Sequence, residues 1–466
     1  MSLNDQIMNI RFDNISSNVF FLSPFFNISL FSAGKNNGSI TYFYNPPPTR
    51  DLFMKKIAFA LLSMMLFSSV CNASLNAKKW PASKKAEQFV KDTIVIGMMA
   101  SPYGTGWSKN EQLLQYYQEA REAGITGHEI TLTAASMNWD HLIEQHHAHK
   151  AAMAEEPENF IFVRSTRDIE AAHVHGKTAV IWNSQTATIL EEDLSRMAAV
   201  KEMGIVSMIL AYNDRFRTGS GSLAAYNGQD DGLTEWGRAV IDEMVKYGIL
   251  LDLSHTGKKT AMDAMDHMDK NHSGVPYVFT HSLPAGLYKN EKNATPKGCY
   301  RNVTDEEVLR VKKSGGYVSP TFTEWMVDGI WPDDLSPKQA ADMIDYYVKL
   351  LGEDYVGIAT DDMFDVSLVV EFATKNATMY ADGGYMIDAF KKGAADSAPL
   401  ARILAAVTDE LWKRGYTNEQ LAKIYGGNKM RVYQQVWEKA PKGKWDKEYQ
   451  ERVEIRKEFM KKYGTR

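Results

Sequence analysis

A chain of 466 residues, 44% hydrophobic and 24% charged, has the balance of a folded globular protein and room for one large domain or two or three smaller ones. A formal net charge of −5 and a pI near 6.2 argue against a polycationic nucleic-acid binder. Only two cysteines, Cys71 and Cys299, exclude a disulfide-built scaffold.

Met54-Lys55-Lys56 followed by the apolar run Ile57 to Val70 has the form of a secretory signal peptide over 54–73, cut after Ala73. The apolar run is too short to cross a bilayer, so no stable membrane span is expected after cleavage. Ser68-Ser69-Val70 is a poor context for lipid attachment at Cys71. Residues 1–53 carry Pro46-Pro47-Pro48 and no clear helix or strand period; they read as a start-site artefact or disordered leader, with Met54 the true start. The expectation is a periplasmic protein that keeps the single thiol Cys299 and relies on its core for stability.

From Thr93 onward strand and helix patterns alternate. Strands are predicted near 93–100, 125–132, 178–183, 205–212, 249–254, 276–281, 316–322 and 356–361. Helical periodicity falls between them at 109–122, 190–203, 233–247, 304–314 and 337–350. Residues 139–175 read as extra helical material, and helices near 400–414, 417–424 and 427–437 follow the last strand. Eight strands separated by helices match an α/β fold of the (β/α)8 TIM-type barrel, over 74–438, with an open doubly wound sheet as the alternative. The highly charged tail, 439–466, mixes both signs and reads as a solvated helix.

Two histidines stand out. Ile249 to Leu253 is an apolar run closed by Ser254-His255, and Tyr277 to Thr280 is a second one closed by His281. Helical periodicity over 258–270 joins them into a strand–helix–strand unit, which places both imidazoles at the carboxyl edge of a parallel sheet, where ligands and metals bind.

These residues resemble the membrane (renal) dipeptidases, the zinc peptidase family M19. Gly232-Leu233-Thr234 through Asp252-Leu253-Ser254-His255 is similar to the segment that leads into a metal histidine of that family. Thr280-His281-Ser282 resembles a second one, Arg301-Asn302 its Arg-Asn motif, and Gly357-Ile358-Ala359-Thr360-Asp361 its Gly-Ser-Asp strand end. The resemblance implies a (β/α)8 barrel with a two-zinc site that cleaves dipeptides.

The resemblance also has departures. The family's first strand ends in His-x-Asp; here Gly97-Met98-Met99-Ala100 puts Met98 and Ala100 at those ligand positions. Its bridging glutamate becomes Gln185, and a histidine that helps hold substrate becomes Tyr212. The lost carboxylates would have offset the charge of two ions, and a thioether suits copper(I) better than zinc. One zinc in place of two is therefore expected, held by His255 and His281 with Gln185 as a weak third donor. Asp361 is expected as the catalytic base or as a further ligand, and Arg301 and Tyr212 as substrate-binding groups.

Two functions stay open on the residues alone. One is a periplasmic dipeptidase-like metallohydrolase acting on a small peptide or amide with a free carboxylate. The other is a metal-poor, non-hydrolytic relative that binds or modifies a peptide-like small molecule. No nucleic-acid partner is expected, and a homodimer is a further option. Among the remaining titratable groups, His128-Glu129 reads as core, and His141, His146, His147 and His149 as the solvated face of a polar helix.

Overall fold

The computed structural model describes residues 31–36, 39–44, 79–100, 110–135, 137–288, 300–323, 326–327, 335–361 and 399–438. The chain forms two compact units, 1–68 and 69–466. The first contains an antiparallel hairpin of β1 (Phe31–Asn36) and β2 (Ser39–Tyr44), where the sequence shows no strand period. The segment 54–73 expected to be a signal peptide, Cys71, Cys299 and the tail 439–466 lie outside the described residues.

The second unit is a curled parallel sheet wrapped by helices, an α/β fold of the TIM-barrel type. Its strands are β3 (Ile96–Ala100), β4 (Gly127–Thr133), β5 (Phe160–Phe162), β6 (Thr178–Ser184), β7 (Ile205–Ile209), β10 (Leu250–Asp252) and β11 (Tyr277–Val278). A minor hairpin, β8 (Arg215–Phe216) with β9 (Gly219–Ser220), stands outside this sheet. The main order is β11-β10-β7-β6-β4-β3, with all pairs parallel. β5 pairs with β6 off this path, inside the stretch predicted as wholly helical.

The predicted strands 316–322 and 356–361 are not continuous ladders. They extend the sheet through single parallel bridges, Phe279 to Val318, Val318 to Val356 and Thr321 to Ala359. The ring is completed when the Asp361 N–H donates to the Met98 carbonyl at 3.3 Å. The buried Lys429 spans the same seam, its side-chain nitrogen donating to the carbonyls of Ile96 and Ile358. Lys429 belongs to the last described helix, Asn428–Glu438, whose Val432, Tyr433 and Val436 pack with Met98, Ile181, Ile209 and Tyr317.

Local sequence explains the helices that deliver the site. Thr234 caps Glu235–Tyr247 by accepting from the Gly237 N–H, and Gly248 ends it in the left-handed region at φ 64°, where a side chain would be strained. Asp305–Ser314 opens with a Thr304–Glu307 capping box and places Asp305 and Glu306 at its positive end, Lys312 and Lys313 at its negative end. The helix predicted at 190–203 begins later, at Arg196, because a short 3-10 turn over Ala187–Leu190 intervenes. Among the described residues no helix is long and apolar enough to cross a membrane.

The polar-helix histidines divide by face. His146 and His149 turn inward against Trp182, with ring centroids 4.8 Å and 6.4 Å away, whereas His141 and His147 are not buried. The reading of all four as a solvated face is thus corrected for the two at i and i+3. His128 faces Tyr116, while Glu129 points into the barrel and accepts from Ser207 and Tyr433; both are core groups, as expected.

Candidate metal centre

Each parallel strand releases its chain into a loop at the carboxyl edge, and the predicted site residues lie there. Tyr212, His255 and His281 each follow their strand by three residues, and Gln185 follows β6 directly. Asp361 ends the eighth extended segment. The nearest ligand atoms of His255, His281 and Asp361 all lie within 4.8 Å of one another. Three of the four described non-glycine residues with positive φ are Asn213 (53°), His255 (65°) and Asp361 (53°). Backbone strain of this kind persists only where the surroundings over-determine it, and here it gathers at one place.

The two imidazoles meet Nε2 to Nε2 at 2.9 Å. Their other nitrogens are committed. His255 Nδ1–H donates to Asn213 Oδ1 at 2.8 Å, an oxygen that also accepts from Ser222. The hydroxyl proton of Thr280 goes to Asp252, so Thr280 Oγ1 accepts from His281 Nδ1–H at 2.8 Å. Asp252 is held in turn by the backbone N–H groups of Ser254 (2.9 Å) and Thr280 (3.1 Å). Burial, and then the charge of Arg301, push both histidines well below their ordinary value, so both rings are neutral.

With both Nδ1 atoms protonated, two neutral imidazoles turn bare lone pairs toward each other at Nε2, an arrangement that a shared cation relieves. Two imidazoles suit zinc, each oriented through its far nitrogen as metal-bound histidines are, and the Asp361 carboxylate stands close enough to bind the ion or to act on a water beside it. Sequence reading missed these orienting groups, Asn213, Asp252 and Thr280; the signals were the Asp three residues before His255 and the Thr directly before His281.

Arg301 is buried, donates to the His281 carbonyl at 3.2 Å, and leaves its Nε without a partner among the described residues. A desolvated guanidinium with such a donor beside the two imidazoles has the chemistry to take an anion. Tyr212 is stacked on His255, centroids 3.7 Å apart. Gln185 is buried, with its backbone N–H on the Thr133 carbonyl at 3.1 Å, and no described contact carries its amide to the histidines. The Met98 sulfur is enclosed by the hydroxyls of Tyr433 (3.7 Å) and Tyr317 (3.9 Å).

A parallel barrel with a histidine-and-carboxylate centre at the carboxyl edge of its strands defines the metal-dependent hydrolase class. The profile of the membrane dipeptidases, peptidase family M19, matches residues 115–381, and the chain belongs to that family. It is 25% identical over 270 residues to a protein of Schizosaccharomyces pombe described as an uncharacterised dipeptidase, covering 58% of this chain and 55% of that one. The chain thus spans about half the length of this relative. An amidohydrolase from Pseudomonas aeruginosa aligns with a TM-score of 0.62 at 25% identity, over 76% of this chain and 99% of that one. PvdM, described as a probable dipeptidase of the same species, gives 0.58 at 18% identity over 77% and 98%, a likeness of fold.

Proposed function

We propose that this protein is a dipeptidase-like hydrolase of the periplasm that works with a single zinc at His255 and His281. The observation that carries this reading is the pair of unprotonated Nε2 atoms facing each other beside Asp361. When bound there, zinc supplies a water with a pKa lowered to about 7 and polarises the scissile carbonyl.

The chain's own groups do the rest. Asp361 receives the proton of the attacking water at its carboxylate and returns it to the leaving amine. Arg301 holds the free carboxylate of the substrate, which fixes the scissile bond at the centre. Tyr212 covers one face of His255 and limits the pocket on that side. Family membership supports a metal-dependent hydrolase; the dipeptide substrate, the single ion and the compartment are this proposal's own. The enclosed Met98 sulfur favours one ion over two, since the first strand then offers no imidazole.

The test is hydrolysis of a panel of dipeptides, with zinc at the centre measured on the same sample, for the parent and His255→Ala. Loss of both zinc and hydrolysis in the variant supports the reading. A parent that binds zinc there and cleaves no dipeptide overturns it in favour of a non-hydrolytic relative.

A further inference from the structure

We propose that Asp242, His267 and His272 form a second metal site, on the outer face of the barrel, for a divalent transition ion of the zinc type. Asp242 lies on the helix Glu235–Tyr247 and His267 on the helix Lys258–Asn271. His272 is the C-cap of the second helix, at φ −132° and ψ 40°, and this departure from helical geometry turns its ring back toward His267. Both Nε2 atoms converge on one carboxylate oxygen, Asp242 Oδ1, at 2.7 Å from His267 and 2.6 Å from His272. The three ligand atoms lie within 4.8 Å of one another.

Tetrahedral zinc with bonds of about 2.0–2.2 Å needs ligand atoms about 3.3 Å apart. The contacts therefore have to open by about half an ångström, and Asp242 can supply that movement because its side chain is 50% exposed. The imidazoles are the fixed part, with side chains 8% and 20% exposed. Asn271 Nδ2 lies 3.0 Å from His267 Nδ1; when a metal takes Nε2 and Nδ1 carries the proton, the amide has to turn over so that its oxygen accepts from Nδ1–H. Two imidazoles and one carboxylate favour zinc, nickel or copper over magnesium or calcium. The exposed side of Asp242 leaves room for water as the fourth ligand.

The place of the site gives it a role. Glu235–Tyr247 leads directly into β10 and His255, and Lys258–Asn271 leads into β11 and His281. An ion shared by these helices clamps, from outside, the two units that deliver the inner histidines. The site does not depend on the inner centre, and its test is run without that centre.

Zinc is titrated into the full metal-stripped chain carrying His255→Ala and His281→Ala. The expected result is one remaining zinc equivalent, with a tetrahedral visible spectrum when cobalt(II) replaces zinc. Adding His267→Ala and His272→Ala abolishes both signals, and Asp242→Asn alone weakens binding at least tenfold. If the double inner variant does not fold, the parent is compared with His267→Ala/His272→Ala, which must lose one equivalent. No binding by a folded inner-site variant, or binding unchanged by the outer substitutions, overturns the proposal.

Discussion

Tyr212 lies flat on His255, their ring planes 20° from parallel and their centroids 3.7 Å apart. A ring held that closely has one orientation left, and the Asn213 contact at Nδ1 fixes it. Replacing Tyr212 by Phe keeps the stack and leaves zinc affinity at the inner site within about twofold. Asn213→Ala removes the acceptor for Nδ1–H and lowers that affinity roughly 10- to 100-fold. Competition with a chromophoric chelator measures both.

Arg301 predicts a substrate-dependent loss. Charge-assisted contacts are worth about 1.5–3 kcal/mol, so Arg301→Met lowers kcat/KM for dipeptides by roughly 10- to 100-fold. A dipeptide amide, without the terminal carboxylate, is cleaved poorly by the parent and equally poorly by the variant. Zinc content is unchanged. An equal loss on acid and amide substrates contradicts the assignment.

Glu129 predicts a stability effect with a defined sign. Burial pushes its carboxyl up from 4.5 to about 7, against the hydrogen bonds from Ser207 and Tyr433. The folded state thus holds this proton more tightly than the unfolded chain. The stabilisation from the protonated form is complete below about pH 4.5 and is lost as pH rises through about 7. Glu129→Gln therefore matches the parent at pH 5 and exceeds it at pH 8 by on the order of 3 kcal/mol. Thermal unfolding of both proteins at each pH reads the difference, in which effects common to both cancel.

His128 and His149 act in the opposite direction. Burial lowers each from 6.5 to about 3, so both are neutral in the folded protein. Their contribution is present above about pH 6.5 and is lost as pH falls toward 3. His149→Leu, which keeps the bulk against Trp182, flattens the acid limb of the unfolding profile. An unchanged midpoint below pH 5 would count against a neutral buried His149.

The lost ligands give a non-additive prediction. Met98→His, Ala100→Asp and Gln185→Glu together return an imidazole and two carboxylates and raise the inner zinc count by one. Each alone adds nothing, because a single donor does not complete a site. Elemental analysis of the four variants after dialysis decides this.

The barrel and the meeting of His255 with His281 at its edge were legible because short apolar runs ending in histidine carry their own geometry. His255, His281 and Asp361 meet where strand ends alone put them. Other features were hidden for physical reasons. Residues 316–322 and 356–361 read as strands from their apolar content, yet that content does not tell a full ladder from a single bridge. His146 and His149 lie on a helix whose apolar residues, among them Trp139, Leu142, Ile143 and Met153, form no single stripe that reveals which side meets Trp182. Asn213 gives no periodic signal, since its importance is the direction of one oxygen toward His255. Asp242, His267 and His272 come from two helices, and only their packing brings the three together.

The seam at Lys429 bears on how the molecule is assembled in time. Its amine joins a carbonyl 333 residues earlier to one 71 residues earlier. A chain emerging from its amino terminus makes all eight extended segments well before it makes this latch. Among the described residues, the backbone contact that joins the first and eighth segments before residue 429 is that of Asp361 with Met98. The helix Asn428–Glu438 therefore ties the first segment to the eighth only after both have been made, a late step in the closure of the sheet.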